Sequence, residues 1–268
     1  MTNNENETPL VEFHNISVKR SGNYLLKSMS LKIMPKEHIA IIGPNGSGKS
    51  SLMKVITRDY YPVARQNSYA KIMGSRLWDV FELRKNMGII TTDLQYQCDK
   101  TEARVFEIVL SGFFSSINVH KNHNVTTDMK FAVNDALKRM GIEHLANRKM
   151  TEISTGEARK VLIARALVHK PKALILDEPT NSLDLKATNE FLKTISELSK
   201  EVTVVLVTHE LSDIIKEIDR VVLIKEGTVF ADGNKKEILN SEKLSELFSA
   251  PVKVKEENGI YSAQIERL

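Results

Sequence analysis

The 268-residue chain predicts an α/β fold built on a mostly parallel sheet. Three features of its patterning point there. Short apolar runs at His38–Ile42, Ala173–Asp177 and 202–207 read as strands buried on both faces. Stretches of helical periodicity, at 50–57, 156–168 and 187–199, alternate with them. Strands separated by helices pair in parallel, because the crossover supplies the return path.

The remaining elements follow in order. Met1 to Glu7 is polar, and a flexible tail is expected over residues 1–9. Leu10–Ile16 and Met29–Ile33 are β-rich. Residues 59–71 read as loop, Met87–Thr91 as a strand, and Thr92–Lys100 as a polar patch. The middle of the chain then turns helical. Val105, Ile108, Val109 and Leu110 make one stripe; Phe131, Ala132, Ala136, Leu137 and Met140 make another that Gly141 stops. This reads as a helical insertion over about 97–168. A strand at 221–225 closes the series, and the main domain is expected over 10–240. Beyond it, 241–268 carries a charged helix and then a hairpin, since Asn258-Gly259 separates the β-rich runs Val252–Glu256 and Ile260–Ile265.

Composition narrows the function classes. Lys and Arg number 38 against 34 Asp and Glu, a surplus too thin to make nucleic acid an expected partner. With 41% hydrophobic and 27% charged residues the chain has enough apolar material for a core. No run of 18 apolar residues suggests a membrane span, and the N-terminus has no apolar stretch of the signal-peptide kind. The single cysteine, Cys98, excludes an internal disulfide and fits a reducing, cytoplasmic setting.

Chemistry concentrates in a few motifs. Gly43, Pro44, Asn45, Gly46, Ser47, Gly48, Lys49 and Ser50 satisfy G-x-x-x-x-G-K-[ST] between a buried strand and a helix that continues through Ser51. Glycines let backbone N–H groups curl around an anion, the helix N-terminus favours negative charge, Lys49 reaches the β- and γ-phosphates, and Ser50 offers a hydroxyl to Mg²⁺. Downstream, Ala173-Leu-Ile-Leu delivers Asp177 to the C-terminal end of a strand, where ligands bind in open α/β sheets. Asp177 is a candidate Mg²⁺ ligand, and Glu178 beside it a candidate to polarise the attacking water. Ser154 and Glu157 have capping-box spacing at the start of a helix.

In this order the residues resemble the nucleotide-binding subunits of ABC transporters, over nearly the whole chain from Leu10 to Ile265. The P-loop, a helical insertion, Ile153-Ser-Thr-Gly-Glu157, the Asp177-Glu178 strand, Asn181-Ser-Leu-Asp184 and His209 after a strand all stand in family sequence. The resemblance implies a three-layer P-loop core with an antiparallel β lobe and a helical subdomain, ATP and Mg²⁺ as ligands, and ATP hydrolysis. It implies that Ser154 and the Gly156 N–H meet the γ-phosphate bound by a second subunit, in a homodimer or a pair with another ATPase chain. His209 is then the γ-phosphate switch, and Asp184 carries the signal between the two sites.

The resemblance also implies separate membrane permease subunits and a place on the cytoplasmic face of the membrane. The tail from Lys235 to the hairpin is similar to importer subunits for metal chelates. Departures are specific. Thr155 and Glu157 replace a glycine and a glutamine, and Arg20 stands where an adenine-stacking aromatic is expected, with Tyr24 nearby. The glutamine that joins Mg²⁺ to the transport partner aligns with Gln95 when counted from the following helix and with Thr92 when counted from the preceding strand. Gln95 is favoured because its side chain bears a carbonyl oxygen that can ligate the metal, and Gln97 is the fallback. A soluble ABC ATPase is the alternative, and a small-molecule P-loop kinase leaves Ser154–Glu157 and His209 unexplained.

Overall fold

The computed structural model describes residues 7–265; the first six residues of the expected tail and the last three of the hairpin segment lie outside that range. The chain divides into two compact units, one holding the residues up to Val80 and from Thr203 onward, the other running Phe81–Val202. Among the described residues no helix is long and apolar enough to cross a membrane.

The first unit holds two larger sheets and a hairpin. In one sheet β1 (Val11–Arg20) lies between β2 (Asn23–Ile33) and β4 (Tyr69–Ile72), antiparallel to both. Both strands run further than the apolar pattern indicates. Ser21 and Gly22 turn the chain in two residues with φ of +48° and +87°, which matches the strand twist and lets β1 continue to Arg20. The other sheet orders β7 (Thr203–Thr208), β3 (Ile39–Ile42), β8 (Arg220–Lys225) and β9 (Thr228–Asn234). Strands β7 and β8 flank β3 in parallel, and β9 returns antiparallel on β8.

All four residues of β3 are fully buried, as a strand covered on both faces requires. Each of the three isoleucine side chains is worth about 1.5–3 kcal/mol. Helix α1 (Lys49–Ile56) follows β3, and α8 (Lys235–Ile238), α9 (Ser241–Phe248) and the hairpin β10 (Val252–Glu257) with β11 (Ile260–Ile265) close the unit.

The second unit pairs β5 (Met87–Ile90) in parallel with β6 (Ala173–Asp177) and is otherwise helical. Its helices are α2 (Val80–Asn86), α3 (Thr92–Asp99), α4 (Val105–Ser111), α5 (Thr127–Arg139), α6 (Thr155–Leu167) and α7 (Leu185–Leu198). Helices α4, α5 and α6 pack on one another. Val105, Ile108 and Val109 are fully buried, as the periodicity predicts. The α5 stripe is rotated from the expected one: Val133, Ala136 and Leu137 are buried while Phe131 is 69% exposed. Residues 131 and 133 stand about 200° apart on a helix, so one face cannot bury both. The polar patch Thr92–Lys100 is in fact helix α3, capped where the Leu94 N–H donates to the Thr91 hydroxyl at 3.1 Å.

Candidate functional site

The first unit builds an anion cradle from residues 43–51. Gly46 and Gly48 adopt φ of +79° and +110°, in the region that penalises a side chain. At Gly48 a Cβ would also stand 3.0 Å from the Leu25 carbonyl oxygen, and at Gly43 one would meet the Ile224 carbonyl oxygen at 2.3 Å. The loop is therefore packed too closely for any side chain at these two positions. It is stitched in place by the Gly227 N–H, which donates to the Ser47 carbonyl at 2.8 Å, and by the Lys27 N–H, which donates to the Gly227 carbonyl at 2.8 Å.

Helix α1 starts at Gly48 with no side-chain cap and no acidic residue in its first turn. Its leading N–H groups and positive end are thus met by neither a capping side chain nor a first-turn carboxylate. Lys49 is 6% exposed, and its Nζ donates to the Gly43 carbonyl at 2.7 Å and the Pro44 carbonyl at 3.3 Å. Ser50 is exposed, Ser51 half-buried, and the buried Ser47 hydroxyl has no hydrogen-bond partner. A curled backbone of N–H groups, a charged amine and three hydroxyls is a phosphate-binding set.

Two further predicted residues belong to this unit. His209 follows β7 on a turn braced by the buried Thr208 hydroxyl, which donates to Asp213 at 2.8 Å and accepts the Glu210 N–H at 3.0 Å. The His209 Nε2 lies 3.5 Å from the Glu210 carboxylate. Arg20, at the end of β1, hydrogen-bonds the Tyr60 hydroxyl and stacks its guanidinium 5.0 Å from the Tyr60 ring centre. Tyr60 is in turn anchored to the end of α1, its N–H donating to the Lys54 carbonyl at 2.8 Å. Tyr24 is occupied by Arg65, which donates to its hydroxyl at 2.8 Å. Sequence reasoning missed Tyr60 because nothing in the 59–71 loop pattern marks it.

The second unit carries the other candidates. Strand β6 brings Asp177 to its C-terminal end, and Glu178 follows with φ of +48°. A non-glycine residue there is uncommon, and such strain gathers at functional sites. Ser154 caps α6 with the predicted box: the Glu157 N–H donates to its hydroxyl at 3.3 Å, while the Ser154 N–H and hydroxyl both donate to the Glu157 carboxylate at 2.8 Å. Those bonds hold the Glu157 carboxyl below the usual glutamate range. Gly156 lies in the first turn, where a Cβ would approach Ala187 to 3.2 Å.

Gln95 is 6% exposed on α3, with its Oε1 buried and without a hydrogen-bond partner. Thr92 and Gln97 are exposed on the same helix. Arg159, which sequence reasoning also missed, is 2% exposed on α6, and burial lowers its pKa to about 10. Nothing in the sequence set it apart, since α6 also carries Glu157, Lys160 and Arg165.

Predicted site residues thus fall into two sets, with Arg20, Gly43–Ser51 and His209 in the first unit and Gln95, Ser154, Gly156, Asp177 and Glu178 in the second. The fold and the motifs on it define an ATP-binding cassette, and the chain belongs to the ABC transporter family, whose description matches residues 26–181. Among its relatives is the ABC transporter ATP-binding protein YlmA of Bacillus subtilis, 32% identical over 91% of this chain and 93% of that protein. Among solved structures, CbiO1 of Clostridium perfringens, part of the ABC transporter complex CbiONQ, superposes with a TM-score of 0.75. It is 30% identical and covers 90% of this chain and 94% of its own. A dimeric bacterial ABC transporter cassette aligns with a TM-score of 0.67 at 25% identity, over 84% of this chain and 98% of that one.

Proposed function

We propose that the Gly43–Ser51 cradle binds the phosphates of ATP, that Glu178 orients the hydrolytic water, and that two such chains drive a separate membrane permease. The observation that carries this reading is the α1 N-terminus: an uncapped helix end, two glycines with no room for a side chain, and an inward-curled Lys49. In-line attack on the γ-phosphate needs little covalent help from the protein, so positioning and charge do the catalysis. Lys49 offsets phosphate charge, and His209 contacts the γ-phosphate. Ser154 and the Gly156 N–H complete the site of a second copy, because a helix N-terminus favours an anion.

The residues also suit Mg²⁺. Ser50 offers a hydroxyl, Asp177 a carboxylate and Gln95 a buried carbonyl oxygen with no other partner, and hard oxygen donors of this kind suit that ion. When bound, Mg²⁺ neutralises charge developing on the phosphate oxygens. Asp184 caps α7, accepting the Ala187 N–H at 2.7 Å, and relays closure from one site to the other through the loop that starts at Asn181.

The permease lies in the membrane and holds this chain on the cytoplasmic face. Its docking place is a groove of about 570 Å³ in the second unit, lined by residues including Tyr96, Gln97, Lys100, Glu102 and Asn118. Import is favoured because the segment from Lys235 through the hairpin is similar to metal-chelate importer subunits. The CbiONQ assembly of CbiO1 supports a multi-chain transporter, and the dimeric cassette supports a paired motor.

Lys49→Ala tests the reading directly. It should weaken ATP binding by roughly tenfold to a hundredfold, the worth of a charge-assisted contact, with the fold intact by circular dichroism. Unchanged ATP affinity would place the nucleotide elsewhere.

A further inference from the structure

The turn that carries His209 closes on one buried carboxylate. Asp213 accepts the Thr208 hydroxyl at 2.8 Å. That hydroxyl oxygen accepts the Glu210 N–H at 3.0 Å, and the Glu210 carbonyl accepts the Asp213 N–H at 3.3 Å. The bonds form a closed ring over residues 208–213, and the residues on both sides of His209 belong to it. Thr208 is fully buried and Asp213 is 2% exposed, whereas the His209 side chain is 36% exposed. The imidazole therefore stands open on a turn whose two flanks are fixed.

Sheet register sets where that turn lies. Strand β7 runs parallel to β3, with Thr208 beside Ile42. The residue that follows Thr208 is His209, and the residue that follows Ile42 is Gly43, the first of the cradle. Both leave the sheet at the same end, so the His209 backbone starts level with the cradle. A chain leaving a strand keeps its backbone freedom unless something fixes it. The 3₁₀ turn Leu211–Asp213 that comes next is too short and too weakly bonded to do so alone. The ring supplies what is missing. Its carboxylate bond lies out of water, where a charge-assisted hydrogen bond is strong and an abandoned partner is costly.

We propose that Asp213 is a positioning residue for His209: through the Thr208 hydroxyl and the Glu210 backbone it fixes the chain on both sides of His209, and so holds the imidazole toward the γ-phosphate. The proposal rests on the reading of His209 as the γ-phosphate contact. Asp213 itself need not touch the nucleotide. Geometry fixed in advance acts on the transition state, where an error of about 1 Å can cost about a hundredfold. A carboxylate that only capped the turn would change stability and leave turnover per folded chain as it was.

The test combines steady-state ATP turnover with the histidine side-chain NMR spectrum of the full chain, and thermal unfolding is run on each variant. His209→Ala comes first. It should lower turnover and remove one imidazole signal from those of the seven histidines, which assigns His209. If turnover is unchanged, the His209 reading falls, and the Asp213 proposal with it. Given a His209 effect, Asp213→Ala should lower kcat by at least about tenfold. KM for ATP should stay the same, the pattern of an interaction made only in the transition state. The His209 signal should shift while the other histidine signals stay in place.

Thr208→Val removes the hydroxyl and keeps the outline of the side chain, so it covers the case in which Asp213→Ala fails to fold. It should reproduce both the loss of kcat and the shift of the His209 signal. Thr208→Ser keeps the hydroxyl and should turn over ATP as the unaltered chain does. Full turnover in Thr208→Val or in folded Asp213→Ala, a loss carried by KM alone, a His209 signal that neither variant moves, or Thr208→Ser impaired as much as Thr208→Val would each overturn the proposal.

Discussion

Ser154 and Glu157 hold each other across the first turn of α6, the Ser154 N–H donating to the glutamate at 2.8 Å and the Glu157 N–H donating to the serine hydroxyl at 3.3 Å. The glutamate that replaces the family's glutamine therefore completes a cap whose other end is the proposed γ-phosphate contact. Its carboxyl is held below the usual range, first by the backbone bond to Ser154 and then by the hydroxyl.

A depressed carboxylate pKa contributes stability that is present above the unfolded value and lost as pH falls through the folded one. Thermal unfolding should therefore show a destabilisation below about pH 4.5 that is smaller in Glu157→Gln, where the side chain does not titrate. Ser154→Ala should cost about 1 kcal/mol, or about 2–4 °C of melting temperature. Identical acid profiles for Glu157→Gln and the unaltered chain would remove this pair from the pH dependence.

Base selectivity should be lax. The Arg20 guanidinium and the Tyr60 ring it covers offer stacking and cation–π attraction to any purine and read no base edge. GTP should be hydrolysed within about tenfold of ATP, a difference of ~1.4 kcal/mol or less. Side-by-side turnover measurements check this, and a preference for ATP beyond about a hundredfold would show that another group grips adenine.

Much of this was legible because strong local rules agree. The P-loop is spelled by glycines that the fold needs at Gly43 and Gly48, and β3 and β6 are apolar enough to declare themselves. The capping box of Ser154 follows from spacing alone. Helix α3 hid because only Gln95 and Cys98 of its residues are buried, so it carries almost no apolar stripe. Strand β9 hid for a related reason: its residues are half-buried or exposed, although the Glu226-Gly227 turn before it, with φ of +50° and +80°, was a hairpin signal. Arg159 was invisible because periodicity ranks residues by hydrophobicity and cannot announce a buried cation.

Phe113 and Phe114 follow the apolar stripe of α4 as two aromatic candidates for contact with the permease. Phe113 packs edge-on against His169 at 4.8 Å and Phe114 stacks on His123 at 4.0 Å, so each has one face covered. Tyr96, 62% exposed, lines the groove itself. Tyr96→Glu should abolish co-purification of the permease while ATP turnover of the isolated chain stays within about twofold, as for a surface substitution. Retained co-purification with the charged residue in place would move the docking surface elsewhere.

Glu178, at φ +48° beside Asp177, is the residue we propose orients the water that attacks ATP. Glu178→Gln keeps the shape and removes the charge, so the direct measurement is steady-state ATP turnover of this variant alongside gel filtration with ATP. The variant should turn over ATP at least about a hundredfold more slowly, retain ATP binding and elute as an ATP-bound dimer. Turnover equal to that of the unaltered chain would contradict it.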